Sequence, residues 1–239
     1  MRRFMHQAVH LNEAIRHQPV QLYEVKRLVF DLIRAPEQYE VWFERFSGGV
    51  FLQIGYGKIA RTGQEPYLRD CIEVVHTLER VASPGAYLVD IFPGLMYLPD
   101  WLAPFKREGN RLHQRELDFY TGLLDDVRSE VRQGTAPRSI AVVMLERQAE
   151  FGFTDIEAAY TLGALYIAAA GTTSATMMSF CLAMCHSPQW QLRLQEEVDR
   201  VIGPDRLPTF DDSSNLPVTR AIIKEVMRVW PVTAGGEVK

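Results

Sequence analysis

The stretch AAYTLGALYIAAAGTTSATMMSFCLAMCH, residues 158–186, decides the fold of this chain because it contains no Asp, Glu, Lys or Arg. It follows the residues Thr154-Asp155-Ile156-Glu157, a capping box that predicts the start of a helix. A helix this long and uncharged can span a bilayer, be buried on all sides of a helical protein, or be buried with a functional groove at its centre. The residues alone leave these three interpretations open.

The centre of this segment, AAAGTTSAT from Ala168 to Thr176, combines small side chains with hydroxyl groups. Small residues allow another group to approach the backbone closely. Ser and Thr hydroxyls can bond back to carbonyls one turn earlier, which bends or widens a helix. A widened turn would leave a polar atom for a ligand and therefore favours the functional groove. Tight packing against a neighbouring helix is the alternative that the same residues allow.

Helical periodicity dominates the rest of the chain as well, and no alternating run predicts a strand. We expect a mainly α fold, in which a helix after Pro36 is strained or broken at Gly48-Gly49 and Pro137 lies in the first turn of a later helix. The segment around Pro93, Pro99 and Pro104 is expected to be irregular or short-helical. The remaining predicted helices are Val20–Ile33, Glu65–Arg80, Lys106–Arg132, Ser187–Gly203 and Leu216–Trp230.

Composition narrows the class of protein. The 239 residues are 47% hydrophobic and 23% charged, which is typical of a globular protein. The net charge of −4 offers no basic excess for phosphates, so no nucleic-acid partner is expected. The three cysteines cannot form a disulfide framework, and their odd number fits a reducing compartment.

The central helix resembles the long central helix of the cytochrome P-450 haem-thiolate monooxygenases, whose pattern is A-G-x-[DE]-T-T. The stretch LYIAAAGTTSAT fits that pattern, with Ala169 in place of the usual Gly and Gly171 in place of the acidic residue. Downstream, HSPQWQLRLQEEVDRVIGPDRLPTFDDSSNLP resembles the family's next helix and loop. The run IIKEVMRVWP then supplies E-x-x-R as Glu225 and Arg228 before Pro231.

Two upstream segments extend the resemblance over essentially the whole chain. PGAYLVDIFPGLMYLPDWLAPFK is similar to fungal microsomal-type members, and MRRFMHQ resembles the end of the family's W-x-x-x-R helix. The resemblance implies the central helical portion of that fold, with a long buried central helix, as one partial domain over residues 1–239. It also predicts an internal fragment that lacks the N-terminal anchor and the C-terminal haem-cysteine loop.

The resemblance implies catalytic or haem-binding roles for five residues. Thr172 corresponds to the threonine that activates oxygen, and Thr173 lies beside it as a second catalytic candidate. Haem is the implied cofactor, with Ala168, Ala169 and Thr172 against it and Arg2 on a propionate. Without an acid at position 171, proton delivery is expected to use water or Thr172 alone.

Glu225 and Arg228 correspond to a structural ion pair in a buried network that supports the family's cysteine loop. The motif of that loop, F-x-x-G-x-R-x-C-x-G, does not occur in this sequence. Cys71, on a predicted surface helix, and the pair Cys181 and Cys185 lie in other contexts, so no metal ligand is assigned. Stable haem binding and activity are therefore not expected of this fragment.

The implied activity is monooxygenation of a small apolar organic substrate with O2 and electrons from NADPH through a cytochrome reductase. The implied location of the full-length protein is the cytosolic face of the endoplasmic reticulum membrane. The alternative is a non-catalytic helical protein that uses the uncharged helix 158–186 for a membrane or a partner helix. His6 and His10, four residues apart, form a weaker candidate metal pair for which no third ligand is placed.

Overall fold

The computed structural model describes residues 2–8 and 15–232, and no β-strand occurs in those two ranges. The expected mainly α class is confirmed. Short 3₁₀ helices cover Pro36–Gln38, Pro93–Tyr97 and Phe210–Asn215. The α-helices are α1 (Arg2–Ala8), α2 (Gln18–Arg34), α3 (Tyr39–Tyr56), α4 (Pro66–Ala82), α5 (Leu88–Ile91), α6 (Pro104–Gln133), α7 (Ile140–Phe151), α8 (Asp155–His186), α9 (Pro188–Val201) and α10 (Pro217–Val229).

Local sequence explains where several of these helices begin and end. Gly134 ends α6 in the left-handed region, with φ at 70°, where a side chain would be strained. The predicted capping box at the start of α8 is present: the Thr154 N–H donates to Glu157 at 2.9 Å, and the Glu157 N–H donates to Thr154 at 3.2 Å. Helix α7 begins at Ile140 rather than around Pro137, because Ser139 provides the N-cap by accepting a hydrogen bond from the Val142 N–H.

The predicted break at Gly48-Gly49 is wrong, because α3 runs without interruption through both residues. Packing explains the glycine at position 48. A Cβ at Gly48 would lie 2.9 Å from the hydroxyl oxygen of Tyr166 and 3.1 Å from a methyl carbon of Leu68. The absent side chain therefore lets α8 and α4 approach α3 closely, which offsets the low helix propensity of glycine.

The chain divides into two compact units, and each has its own apolar core. The first unit comprises described residues within 1–15 and 48–170, and the second comprises those within 16–47 and 171–239. The first core is built from fully buried side chains of α3, α4, α6, α7 and α8, including Leu52, Leu68, Leu124, Met144 and Leu162. The smaller second core contains Ala183, Met184, Ile222 and Val226.

A buried ion-pair network joins α2 to α3 in the second unit. Arg45, with 3% of its side chain exposed, places one guanidinium nitrogen 2.9 Å from Glu24 and another 3.0 Å from Asp31. Glu24 is fully buried and also lies 3.2 Å from Arg27. Two charges removed from water are stabilised only when they are paired, so this network fixes the relative positions of the two helices.

Helix α8 is buried along one face rather than on all sides. Ala158, Ala159, Leu162 and Tyr166 are buried in the first unit. Only 22% of its most apolar 18-residue window is buried, although by length and composition the helix could cross a membrane. Of the three interpretations that the sequence left open, burial on all sides is the one that this structure does not show.

Candidate functional site

The centre of α8 presents the predicted small residues on an exposed face. Ala164, Ala168 and Thr172 are all exposed and recur every fourth residue, which places them in one row along the helix. Thr173 is exposed as well, and Ala169 is half-buried. The row contains no large side chain.

Hydroxyl groups bond back to the backbone at this point, as the sequence predicted. The Ser174 hydroxyl donates to the Gly171 carbonyl at 3.0 Å, and the Thr176 hydroxyl donates to the Thr172 carbonyl at 2.8 Å. The helix nevertheless remains α-helical from Asp155 to His186, so the expected widened turn is not formed. Any ligand at this face would meet side chains rather than an opened backbone.

No carboxylate of α8 is close to Thr172 in the sequence. The acidic residues of the helix, Asp155 and Glu157, lie in its first turn. Both are used there: Glu157 caps the helix, and Asp155 accepts hydrogen bonds from Gln148 and Arg128 at 2.8 and 2.7 Å. Within α8, therefore, no acidic residue lies within a turn of Thr172 in the sequence; the route of a proton to this hydroxyl remains a prediction.

Arg2 is exposed on α1, in the first unit. Aromatic packing fixes this helix, since the buried Phe4 ring meets the rings of Phe151 and Phe153 edge-on at 5.5 and 6.1 Å. Gln7 accepts a 2.9 Å hydrogen bond from Arg147 of α7. The guanidinium of Arg2 thus extends from an anchored helix. Of the predicted histidine pair, His6 is exposed on α1 and His10 lies outside the described residues.

Glu225 and Arg228 lie one turn apart on α10, in the second unit, and form a bidentate ion pair. The two hydrogen bonds from the guanidinium measure 2.9 and 2.6 Å. They lower the pKa of Glu225 and raise the pKa of Arg228. Both side chains are exposed, at 60% and 70%, so the pair is not buried in a network within this structure. Its supporting role remains a prediction.

The N-terminus of α10 is capped by Glu197 of α9, a contact that the sequence did not reveal. Its carboxylate accepts hydrogen bonds from the N–H groups of Val218 and Thr219 at 2.9 and 2.8 Å, and from the Thr219 hydroxyl at 2.8 Å. Desolvation acts to raise the pKa of Glu197, but these bonds outweigh it and lower that pKa.

An apolar cavity of about 500 Å³ opens beside the ion pair of Glu225 and Arg228, within the second unit. Glu225 borders it, and its floor continues the second core. The cavity is lined by Ala183, Met184, Ser187, Trp190, Ala221, Ile222, Glu225, Val226, Val229 and Trp230.

None of the cysteines lies in the Gly/Arg loop context of a haem ligand. Cys71 is 1% exposed in the first core, which corrects the predicted surface position, and burial raises the pKa of its thiol. Burial, together with the neighbouring Cys185, raises the pKa of Cys181. Among residues 2–8 and 15–232, no group of three His, Cys, Asp or Glu side chains is placed to hold a metal ion.

Comparison with known proteins identifies the family. The sequence profile described as cytochrome P-450 matches residues 1–236. The chain belongs to the cytochrome P-450 family. It is 32% identical to a cytochrome P-450 monooxygenase of Armillaria gallica and 34% identical to the monooxygenase fogE of Aspergillus ruber, over 95% and 97% of its length. These alignments cover 44% and 43% of the two relatives, so the chain spans less than half of their length.

A solved cytochrome P-450 has the same arrangement of helices. A zebrafish cytochrome P-450 determined with progesterone superimposes with a TM-score of 0.75 at 24% identity, over 96% of this chain and 53% of that one. The predicted central helical portion of the cytochrome P-450 fold is thereby confirmed. At this identity the likeness concerns the fold alone.

Proposed function

We propose that this chain is the central part of a haem-dependent monooxygenase that oxidises a small apolar organic substrate. In this proposal the electrons come from NADPH through a cytochrome reductase, at the cytosolic face of the endoplasmic reticulum. The observation that carries the proposal is the family match over residues 1–236, together with an exposed row of small residues that includes Thr172 on α8.

In this proposal Ala168, Ala169, Thr172 and Arg2 would contact a haem, and the axial ligand would not come from a cysteine of the described chain. Ala168 and Ala169 would contact the macrocycle without steric obstruction, and Arg2 would neutralise a propionate. A thiolate-ligated haem, when bound, supplies the activation of O2. No cysteine here has the context for that ligand: one is in the first core, and two lie on α8. We therefore derive no step through the iron.

Thr172 is the residue of this chain to which we assign proton handling. Its hydroxyl lies on the exposed side of α8. The backbone beneath it is held by the hydrogen bond from Thr176 to the Thr172 carbonyl. A hydroxyl can accept a proton from water and donate its own, so Thr172 can pass a proton from solvent to a ligand. Thr173 lies beside it and is the second candidate for the same task.

The polypeptide of residues 1–239, mixed with haemin, reduced and exposed to CO, is expected to show no thiolate-type absorption band. The physical reason is that Cys71 is buried and has a raised pKa, and neither α8 cysteine is held in a loop that delivers a thiolate. The measurement is the ferrous-CO difference spectrum. The Cys185→Ser variant, which removes the exposed thiol, serves as the control. A clear thiolate-type band in the unaltered polypeptide would contradict the prediction.

In a version extended by a segment that carries F-x-x-G-x-R-x-C-x-G, Thr172→Ala is expected to uncouple oxygen consumption from product formation. The fraction of O2 converted to product should fall about tenfold, because water alone would then deliver protons. Thr176→Ala is the matched control, since it removes the hydroxyl that donates to the Thr172 carbonyl at 2.8 Å and leaves the Thr172 hydroxyl in place. Unchanged coupling in Thr172→Ala would show that the alignment with the family's threonine is wrong.

A second candidate function is non-catalytic association of α8 with a membrane or a partner helix. The observation that favours it is the small buried fraction of this helix, 22% of its most apolar window. Flotation of the 239-residue polypeptide with liposomes and resistance to alkaline extraction would support it. Recovery of the polypeptide in the soluble fraction, and a downstream exon or reading frame encoding the cysteine motif, would support the monooxygenase instead.

A further inference from the structure

A tyrosine and a histidine form a close pair in the first unit, away from the exposed centre of α8. The hydroxyl oxygen of Tyr160, in the second turn of α8, lies 3.0 Å from Nδ1 of His113 on α6. Their rings are stacked, with centroids 6.0 Å apart and planes inclined by 25°. Neither residue has a part in the proposed monooxygenase site. A neutral imidazole with its proton on Nε2 presents a lone pair at Nδ1, so the phenol can donate to it.

This pair is the outer end of a chain of oxidisable side chains that leads into the core. The Tyr160 ring contacts the ring of Tyr120 edge-on, with centroids 5.4 Å apart. Tyr120 is 2% exposed, and within the described part of the chain its hydroxyl has no hydrogen-bond partner. Burial, followed by the charges of Glu116 and Cys71, raises the pKa of Tyr120. Tyr120 is therefore the buried neighbour of the surface pair.

We propose that Tyr160 is the tyrosine of this chain that is most readily oxidised by one electron, with His113 as the acceptor of its proton. The reactant is a one-electron oxidant such as a polypyridyl Ru(III) complex. One electron leaves the phenol and reduces Ru(III) to Ru(II). The O–H bond of Tyr160 breaks, its proton forms an N–H bond at Nδ1 of His113, and a neutral tyrosyl radical and an imidazolium remain.

The position of the proton acceptor distinguishes Tyr160 from the other tyrosines. Oxidation makes a phenol strongly acidic, so the radical forms readily only where the proton can leave at once. Tyr120 has no such acceptor. Tyr39 donates to the carboxylate of Glu40 at 3.0 Å, but a carboxylate, with a pKa of about 4.3, is a much weaker base than an imidazole, with a pKa of about 6.5.

The first experiment maps the radical in the unaltered protein. Ru(III) is generated by flash photolysis in the presence of a nitroso spin trap, and the adducts are located by peptide mass spectrometry. We expect the dominant adduct on Tyr160. Tyr97 is 92% exposed, so oxidation governed by access alone would place the dominant adduct there. A dominant adduct on Tyr97, or on any tyrosine other than Tyr160, would overturn the proposal.

The second experiment tests the proton acceptor with variants whose folding is checked by circular dichroism. Tyr160→Phe should abolish most of the tyrosyl radical signal in electron paramagnetic resonance. His113→Phe keeps a stacked ring and removes the base, so the radical should form about tenfold more slowly. Added imidazole should restore the rate in His113→Ala, and the control Tyr39→Phe should leave it unchanged. Equal rates with and without His113, or no rescue by imidazole, would contradict the role of this histidine.

Discussion

Replacing Arg45 by Met is expected to lower the free energy of unfolding by about 3 kcal/mol, because the substitution removes one partner of a buried ion pair. Glu24 is fully buried, 2.9 Å from Arg45. The variant would leave this carboxylate in the interior with Arg27 as its remaining cationic contact in the network, at 3.2 Å. Asp31 would lose its 3.0 Å contact as well. Urea unfolding followed by far-UV circular dichroism measures the loss.

The control is an exposed ion pair of the same type. Arg138 lies 3.0 Å from Glu146, with the two side chains 71% and 51% exposed. Arg138→Met should change the free energy of unfolding by less than about 1 kcal/mol, since water solvates the carboxylate that remains. Equal losses for the two substitutions would mean that burial does not distinguish the two pairs.

Replacing Gly163 by Leu is expected to lower the free energy of unfolding by about 1–3 kcal/mol, because the new side chain would overpack the first core. A Cβ at this position would lie 2.6–2.7 Å from three atoms of the Tyr120 ring. That ring is buried against α8 and has Phe119 and Tyr160 around it, so it cannot move away without disturbing them. Thermal and urea unfolding of the purified protein measure the effect.

Gly122→Leu is the matched control, because Gly122 is exposed within α6 and a Cβ there would meet nothing within 4 Å. A leucine in a helix is favoured over a glycine by somewhat less than about 1 kcal/mol, so this variant should be slightly more stable than the original. The two substitutions are therefore expected to have opposite signs. A stabilising effect of Gly163→Leu would show that the contact with Tyr120 is looser than the structure indicates.

The small residues of α8 also show how far a sequence pattern alone can be interpreted. The sequence predicted that small residues in the uncharged helix serve either close packing or a groove, and it left the two open. On this helix the structure shows close packing at Gly163, which is covered by a tyrosine ring, whereas Ala168 and Thr172 are exposed. Glycine and alanine are small in either setting, so residue size cannot distinguish a covered position from an open one.

Several elements were determined by the sequence itself, because their causes are local. The capping box at Thr154, the termination of α6 at Gly134 and the helical periodicity act within a few residues, and the structure reproduces them. The order of the motifs along the chain likewise indicated the cytochrome P-450 family. Neither the local signals nor the order of the motifs depends on which helices become neighbours in the folded chain.

Tertiary structure alone decided the continuity of α3 through Gly48, the burial of Cys71 and the capping of α10 by Glu197. It also brought His113 and Tyr160 together, although 47 residues separate them in the sequence. The physical reason is the same in each case. Burial and hydrogen bonding depend on the neighbour that packing supplies, and residues far apart in the sequence supply it here.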